Sequence, residues 1–162
     1  MRTWRKISTS DEEAAGTRSM KNLAHTEPGK HPGSPEGESA ESKKTILLYS
    51  PDLNFCFSLS MLFQDRFNVI TTTNVGMLDR LVADYSADLT LVDAVPSEKL
   101  IERIQGLRSI NPRLPIILLY VYNSKEMHLD RTIRAHVDSV FYKPLEIALV
   151  SRRIEELLIH VS

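Results

Sequence analysis

The chain has 162 residues, a mass of 18.4 kDa and a formal net charge of −1. The length is that of one domain, and the near-zero charge excludes the strongly basic composition of non-specific nucleic-acid binders. No stretch approaches the roughly 18 apolar residues of a membrane-spanning helix, and no apolar core of a signal peptide follows the basic N-terminus. Cys56 is the only cysteine, which excludes an intramolecular disulfide, and we expect a cytoplasmic protein that binds neither nucleic acid nor membranes.

Composition divides the chain into two parts. Residues 1–44 hold four of the six glycines, three of the eight prolines and one of the eleven aromatic residues. Such a segment cannot bury enough apolar area to offset its ordering entropy, so we expect a disordered N-terminal tail at 1–44. Residues 45–162 carry the other aromatic residues and predict one domain with a single hydrophobic core.

The second part alternates predicted strands and helices. Apolar or β-branched runs predict strands at 45–49, 67–72, 88–93, 115–122 and 139–142. Apolar residues at helical spacing predict helices at 53–64, 77–85, 98–110, 124–136 and 146–160, with Asp52 as the cap of the first. Five strand–helix units predict a (βα)₅ α/β fold, a three-layer sandwich around a five-stranded parallel sheet.

Functional sites in such sheets lie outside the carboxyl ends of the strands. Asp93 ends the third predicted strand and Lys143 follows the fifth, so we expect both side chains at one rim of the sheet. One interpretation is a structural ion pair between the two strands. The other is a nucleophilic aspartate whose acyl phosphate contacts the lysine, because aspartyl carboxylates form such intermediates. The pair alone favours the structural interpretation.

Four segments carry a resemblance to a known family. They are ILLYSPD at 46–52, DLTLVD at 88–93, NPRLPIILL at 111–119 and VDSVFYKP at 137–144. Together they resemble a bacterial response-regulator receiver domain, which is CheY-like and flavodoxin-like in fold, over about residues 44–162. The resemblance implies that Asp93 is the phospho-acceptor, that Lys143 contacts the phosphate and that a cis peptide bond precedes Pro144.

The same resemblance implies a Mg²⁺ site, which this sequence changes. Receivers carry two adjacent acidic residues after the first strand, and these positions are Ser50 and Pro51 here. Asp52 follows one residue later, and the loop at 94–96 is one residue shorter than usual. Since Mg²⁺ demands near-ideal octahedral oxygen geometry, we expect at most a degenerate site formed by Asp93 and Asp52.

Two switch positions also depart from the receiver pattern. Tyr120 stands where receivers have a threonine or serine, and Val140 stands where they have an aromatic residue. Two functions therefore stay open. The first is a single-domain receiver in two-component phosphorelay signalling. The alternative is a phosphorylation-independent scaffold or adaptor, and we expect impaired phospho-switching. A small α/β enzyme is disfavoured, because the chain has no glycine-rich phosphate loop.

The resemblance also implies partners. They are a sensor histidine kinase or phosphotransfer protein and a downstream target protein. It further implies a homodimer through the fourth helix, fifth strand and fifth helix, with Val140, Tyr142 and Ile147 as candidate contacts. No enzymatic activity is expected beyond self-phosphorylation and dephosphorylation at Asp93. Because the fifth helix reaches the end of the sequence, we expect a stand-alone receiver.

Two helices carry surface patterns. Apolar residues surround the first predicted helix, so we expect Phe57 and Met61 to be exposed, either as a partner surface or beneath the tail. The fourth predicted helix mixes acidic residues, including Asp130, with basic residues, including Arg134. This mixture is typical of a solvated face.

Overall fold

A computed structural model describes residues 42–160. The expected tail, apart from residues 42–44, lies outside the described residues, as do residues 161–162. The described strands are β1 (Thr45–Tyr49), β2 (Asn68–Thr72), β3 (Leu89–Asp93), β4 (Ile116–Tyr120) and β5 (Ser139–Tyr142). The described α-helices are α1 (Leu53–Phe63), α2 (Leu78–Tyr85), α3 (Glu98–Ile110), α4 (Met127–Arg134) and α5 (Ile147–His160).

The five strands form one parallel sheet in the order β2-β1-β3-β4-β5. This is the strand order of flavodoxin-like sheets, and the predicted (βα)₅ architecture is confirmed. The chain moves to one side of β1 for β2 and to the other side for β3. Between β1 and β3 the sheet therefore has a switch point, whose carboxyl-end crevice is the usual place for a site.

Two apolar layers cover the faces of the sheet. Leu47, Val92 and Leu118 face the layer that contains buried residues of α2, α3 and α4. Leu48, Leu91 and Leu119 face the other layer, which contains buried residues of α1 and α5. Because both faces are covered, β3 and β4 are buried along their whole length, which explains their continuous apolar sequence.

The fourth strand is shorter than the prediction of 115–122. It ends at Tyr120, which pairs with Tyr142 at the end of β5, so Val121 and Tyr122 have no strand beside them and are exposed. The predicted helix at 124–136 was also too long. It begins as a 3₁₀ turn, Ser124–Glu126, and its α-helical part ends at Arg134. Within the described residues no helix has the length and apolar character needed to cross a membrane.

Leu91, in the core, is expected to contribute far more to the free energy of unfolding than an exposed leucine. Leu91 is 0% exposed and Leu62 on α1 is 52% exposed. We predict that Leu91→Ala lowers the free energy of unfolding by about 2–5 kcal/mol, because it removes buried methyl groups and leaves a cavity. Leu62→Ala is the matched control and is expected to change it by less than about 0.5 kcal/mol. Urea unfolding measures both, and equal effects would contradict the assignment of the core.

Candidate functional site

Three side chains meet at the carboxyl end of the sheet. Asp93 is the last residue of β3, Ser50 follows β1 and Lys143 follows β5. Leu91 and Phe141, which lie two residues before Asp93 and Lys143, both pack in the layer of α1 and α5. Since strand side chains alternate between faces, Asp93 and Lys143 project toward the same side of the sheet.

The Asp93 carboxylate is held by two donors of its own chain. Its Oδ2 accepts hydrogen bonds from the Ser50 hydroxyl at 2.6 Å and from the Lys143 ammonium at 2.7 Å. Asp93 is only 7% exposed, and a buried carboxylate requires such compensation. Charge-assisted hydrogen bonds are also stronger than neutral ones. The structure therefore brings together the two residues that sequence reasoning placed at this rim and adds Ser50 to them.

Ser50 is fixed on both sides. Its amide donates to the Thr72 carbonyl at 3.2 Å, and its hydroxyl oxygen accepts from the Asp52 amide at 3.0 Å. The residue is fully buried. In the position where a receiver carries an acidic residue, this chain thus places a neutral hydrogen-bond donor to Asp93 rather than a second carboxylate.

Asp52 has a different use. Its Oδ1 accepts from the amides of Asn54 at 2.8 Å and Phe55 at 3.2 Å, so the predicted cap of α1 is confirmed. Within residues 42–160 no group of three or more histidine, cysteine or acidic side chains is placed to hold a metal. Lys143 also already brings positive charge to Asp93. These donors do not fit Mg²⁺, and joint ligation by Asp93 and Asp52 stays a prediction without a contact that supports it.

The first switch position lies on the opposite face of the sheet. Leu119, which pairs with Asp93, packs in the layer of α1 and α5, whereas Tyr120 packs in the layer of α2, α3 and α4. Tyr120 is 3% exposed, and its hydroxyl donates to the Asp130 carboxylate on α4. The phenol hydroxyl is therefore hydrogen-bonded to α4 and not to Asp93.

Tyr120 belongs to a tyrosine network that consists of Tyr120, Asp130, Arg134 and Tyr142. The Tyr142 hydroxyl donates to Asp130 at 2.7 Å, and Arg134 donates to Asp130 at 3.1 Å and also to the Tyr142 hydroxyl. The two tyrosine rings meet edge to face with centroids 5.3 Å apart. The charged face of α4 is exposed at Arg131 and Arg134, as expected, but Asp130 also connects α4 to β4 and β5 and Arg134 connects it to β5.

The network favours the neutral Tyr120 phenol and the ionised Asp130 carboxyl. Burial raises the pKa of Tyr120, and its hydrogen bond to Asp130 raises it further. Burial also raises the pKa of Asp130, but the hydrogen bonds from Tyr120, Tyr142 and Arg134 outweigh burial and hold that pKa below its ordinary value. The neutral Tyr120 phenol and the ionised Asp130 carboxylate therefore stabilise each other.

The second switch position is filled by a small side chain with an aromatic neighbour. Val140 is half-buried and packs against the layer of α2, α3 and α4. Tyr142, two residues later, points to the same side of the sheet and is anchored in the tyrosine network. The sequence analysis did not predict that Tyr142 is anchored by Asp130 and Arg134. The spacing of these two residues, four apart on a helix, does predict the ion pair between them.

The predicted surface residues are distributed as follows. Phe57 and Met61 are 65% and 50% exposed, which confirms the expectation for α1. Val140 and Ile147 instead pack partly against the core of their own chain, and Tyr142 is 36% exposed. The proposed homodimer contact thus has one accessible aromatic residue among its three candidates.

The peptide bond between Lys143 and Pro144 is cis, as the resemblance implies.

Comparison with solved structures identifies the fold. A CheY-like receiver domain protein from Methanospirillum hungatei matches with a TM-score of 0.63 and 20% identity, over 74% of this chain and 97% of that chain. A receiver domain protein from Clostridium thermocellum matches with a TM-score of 0.62 and 16% identity, over 72% and 95% of the two chains. An adenylate cyclase from Rhodopirellula baltica matches with a TM-score of 0.62 and 18% identity, over 74% and 90%.

No family model matches the chain, and no curated protein is significantly similar to it. At these identities the likeness to solved structures establishes the fold, and that fold is the one of CheY-like receiver domains.

The pair of Asp93 and Lys143 is expected to be strongly coupled in energy. Breaking a buried ion pair costs roughly 3–5 kcal/mol, and we predict a loss at the lower end of that range for Lys143→Met, because the lysine side chain is 25% exposed. The same substitution is expected to cost much less when Asp93→Asn is already present. A double-mutant cycle by urea unfolding measures the coupling. Equal costs in both backgrounds would contradict the pairing.

Tyr120 is expected to resist ionisation in the folded protein. A raised phenol pKa adds stability that is fully present below the unfolded value of about 10 and is lost progressively as the pH rises from that value through the folded one. We predict that the native protein and its Tyr120→Phe variant give the same tyrosinate absorbance between about pH 9 and 11. In denaturant, Tyr120→Phe is expected to give a smaller tyrosinate absorbance than the wild type, because it has one tyrosine fewer. A smaller native signal from the variant would show that Tyr120 ionises and contradict its burial in the network.

Proposed function

We propose that the protein is a receiver-type signalling module of two-component signal transduction that acts through contacts with other proteins. The observation that carries the proposal is the direct contact of Asp93 and Lys143 at the carboxyl end of a CheY-like sheet. An aspartate at the end of β3 and a lysine after β5 are the residues by which receivers bind a phosphoryl group. The proposed location is the cytoplasm, where the kinases of such systems act.

Two forms of this function differ in the role of Asp93. In the phospho-acceptor form, an Asp93 oxygen attacks the phosphorus of a phosphodonor, the donor's leaving group departs and Lys143 neutralises the acyl phosphate. Self-phosphorylation and its hydrolytic reversal are the reactions proposed for Asp93 in this form. In the phosphorylation-independent form, the module is a scaffold or adaptor in which the same pair has a structural role.

The surroundings of Asp93 favour the phosphorylation-independent form. Phosphoryl transfer relies mainly on charge neutralisation around the transferred group, which a metal ordinarily provides. Here Asp93 Oδ2 is occupied by Ser50 and Lys143, and Asp52 is used as a helix cap. Attack through that oxygen would require both hydrogen bonds to be replaced, and within residues 42–160 the Asp52 carboxylate binds the amides of α1.

The tyrosine network favours the same form. A phosphoryl group must supply about 5.5 kcal/mol of differential stabilisation to invert a 1:99 conformational equilibrium. Receivers gain part of that from a short hydroxyl at the end of β4 that moves toward the phosphate. Tyr120 lies on the other face of the sheet and is bound to Asp130, so this source of energy is missing.

The proposed partners are proteins. A sensor histidine kinase or phosphotransfer protein would meet the rim near α1, where Leu53, Phe57 and Met61 are exposed. A downstream target or a second copy of the chain would meet the face formed by α4, β5 and α5. In the phosphorylation-independent form these contacts persist without transfer of a phosphoryl group.

One experiment separates the two forms. The purified full chain is incubated with Mg²⁺ and a small acyl-phosphate donor, and intact mass is measured beside a competent receiver as positive control. We predict no adduct on this chain, because Ser50 and Lys143 already bind the Asp93 carboxylate and the carboxylate of Asp52 caps α1. A mass increase of about 80 Da, that of one phosphoryl group, which Asp93→Asn abolishes would instead establish the phospho-acceptor form.

A further inference from the structure

The ring of Phe55 lies directly beside the ammonium group of the site. Lys143 Nζ lies 3.9 Å from the centroid of this ring, within the roughly 6 Å range of a cation–π contact. Phe55 is on the first turn of α1 and is half-buried against the layer of α1 and α5. We propose that Phe55 is a positioning residue whose aromatic face holds the Lys143 ammonium against Asp93.

Lys143 needs such a support because of its chemistry. A lysine side chain is a flexible four-carbon stem that loses considerable rotamer entropy when its head is fixed. Its hydrogen bond to Asp93 Oδ2 restrains one side of the ammonium group. The negative face of an aromatic ring attracts the cation from another side, and it neither competes for the carboxylate nor requires a second acceptor.

Local hydrogen bonds place the ring. The Phe55 amide donates to the Asp52 carboxylate at 3.2 Å, and the Asp52 amide donates to the Ser50 hydroxyl at 3.0 Å. Ser50 in turn donates to Asp93, which accepts from Lys143. The contacts form a closed circuit in which residues 50–55 supply both a donor for Asp93 and an aromatic face for its counter-ion.

This circuit differs from simple core packing by Phe55. Packing would be satisfied by any apolar side chain of similar volume, and leucine supplies one. The electrostatic attraction is specific to an aromatic ring and is strongest for tryptophan. Phe55→Leu and Phe55→Trp therefore separate the two roles. The inference concerns how Lys143 is held, so it stands or fails independently of phosphorylation at Asp93.

The test measures Lys143 in the full chain by two readouts. In NMR spectra, a methylene group next to an ammonium above a ring face is shifted upfield by the ring current. We expect the Lys143 ε-protons to show this shift in the wild type and in Phe55→Trp, and to lose it in Phe55→Leu. Amine-reactive labelling, quantified at Lys143 by peptide mass spectrometry, is expected to accelerate about two- to fivefold in Phe55→Leu, the equivalent of about 0.5–1 kcal/mol.

Phe57→Leu is the matched control, since Phe57 lies on the same helix but is exposed. It is expected to leave both readouts unchanged, and labelling at exposed Lys99 corrects for differences between samples. Circular dichroism verifies that each variant is folded. If Phe55→Leu unfolds the chain, Phe55→Trp decides alone by preserving or losing the upfield shift. An unshifted Lys143 in the wild type, or equal labelling of wild type and folded Phe55→Leu, would overturn the proposal.

Discussion

The arrangement of this molecule depends on the compensation of one buried carboxylate. Asp93 ends the central strand of the sheet at 7% exposure, where an unpaired charge would be strongly destabilising. Its two donors come from the ends of β1 and β5, so the order of the strands and the length of each determine whether compensation occurs. The strand order and strand ends that define the fold therefore also bring the three side chains of the site together.

The two faces of the sheet have complementary roles near this rim. On one face, Asp93 is enclosed by groups of its own chain. On the other face, Tyr120 connects β4 to α4 through Asp130, and Tyr142 connects β5 to the same carboxylate. Leu119 and Tyr120 are neighbours in sequence but belong to different layers. The side-chain donors of Asp93 lie after β1 and β5, whereas Tyr120 and Tyr142 hold α4, and this separation supports the proposed phosphorylation-independent module.

Much of the fold and part of the site could be predicted from sequence. Within the described residues, apolar runs and helical spacing located the five strands and the five α-helices, and strand ends placed Asp93 and Lys143 together, because these signals are local. The end of β4 was missed, since it depends on where β5 stops. The partners of Tyr120 and the ring beside Lys143 were missed as well. Both contacts depend on which way a long side chain turns after a strand, and no local periodicity encodes that.

We propose that the charge of Asp93 is compensated by Ser50 and Lys143 and not by a metal ion. The most direct measurement is a Mg²⁺ titration of the full chain, followed by the ¹³C resonance of the Asp93 carboxylate. We predict no saturable movement of this resonance in the wild type, whereas the double variant Ser50→Asp with Pro51→Asp, which introduces two acidic neighbours, is expected to show one. A saturable Mg²⁺-dependent shift of this resonance in the wild type would contradict compensation of Asp93 by its own chain alone.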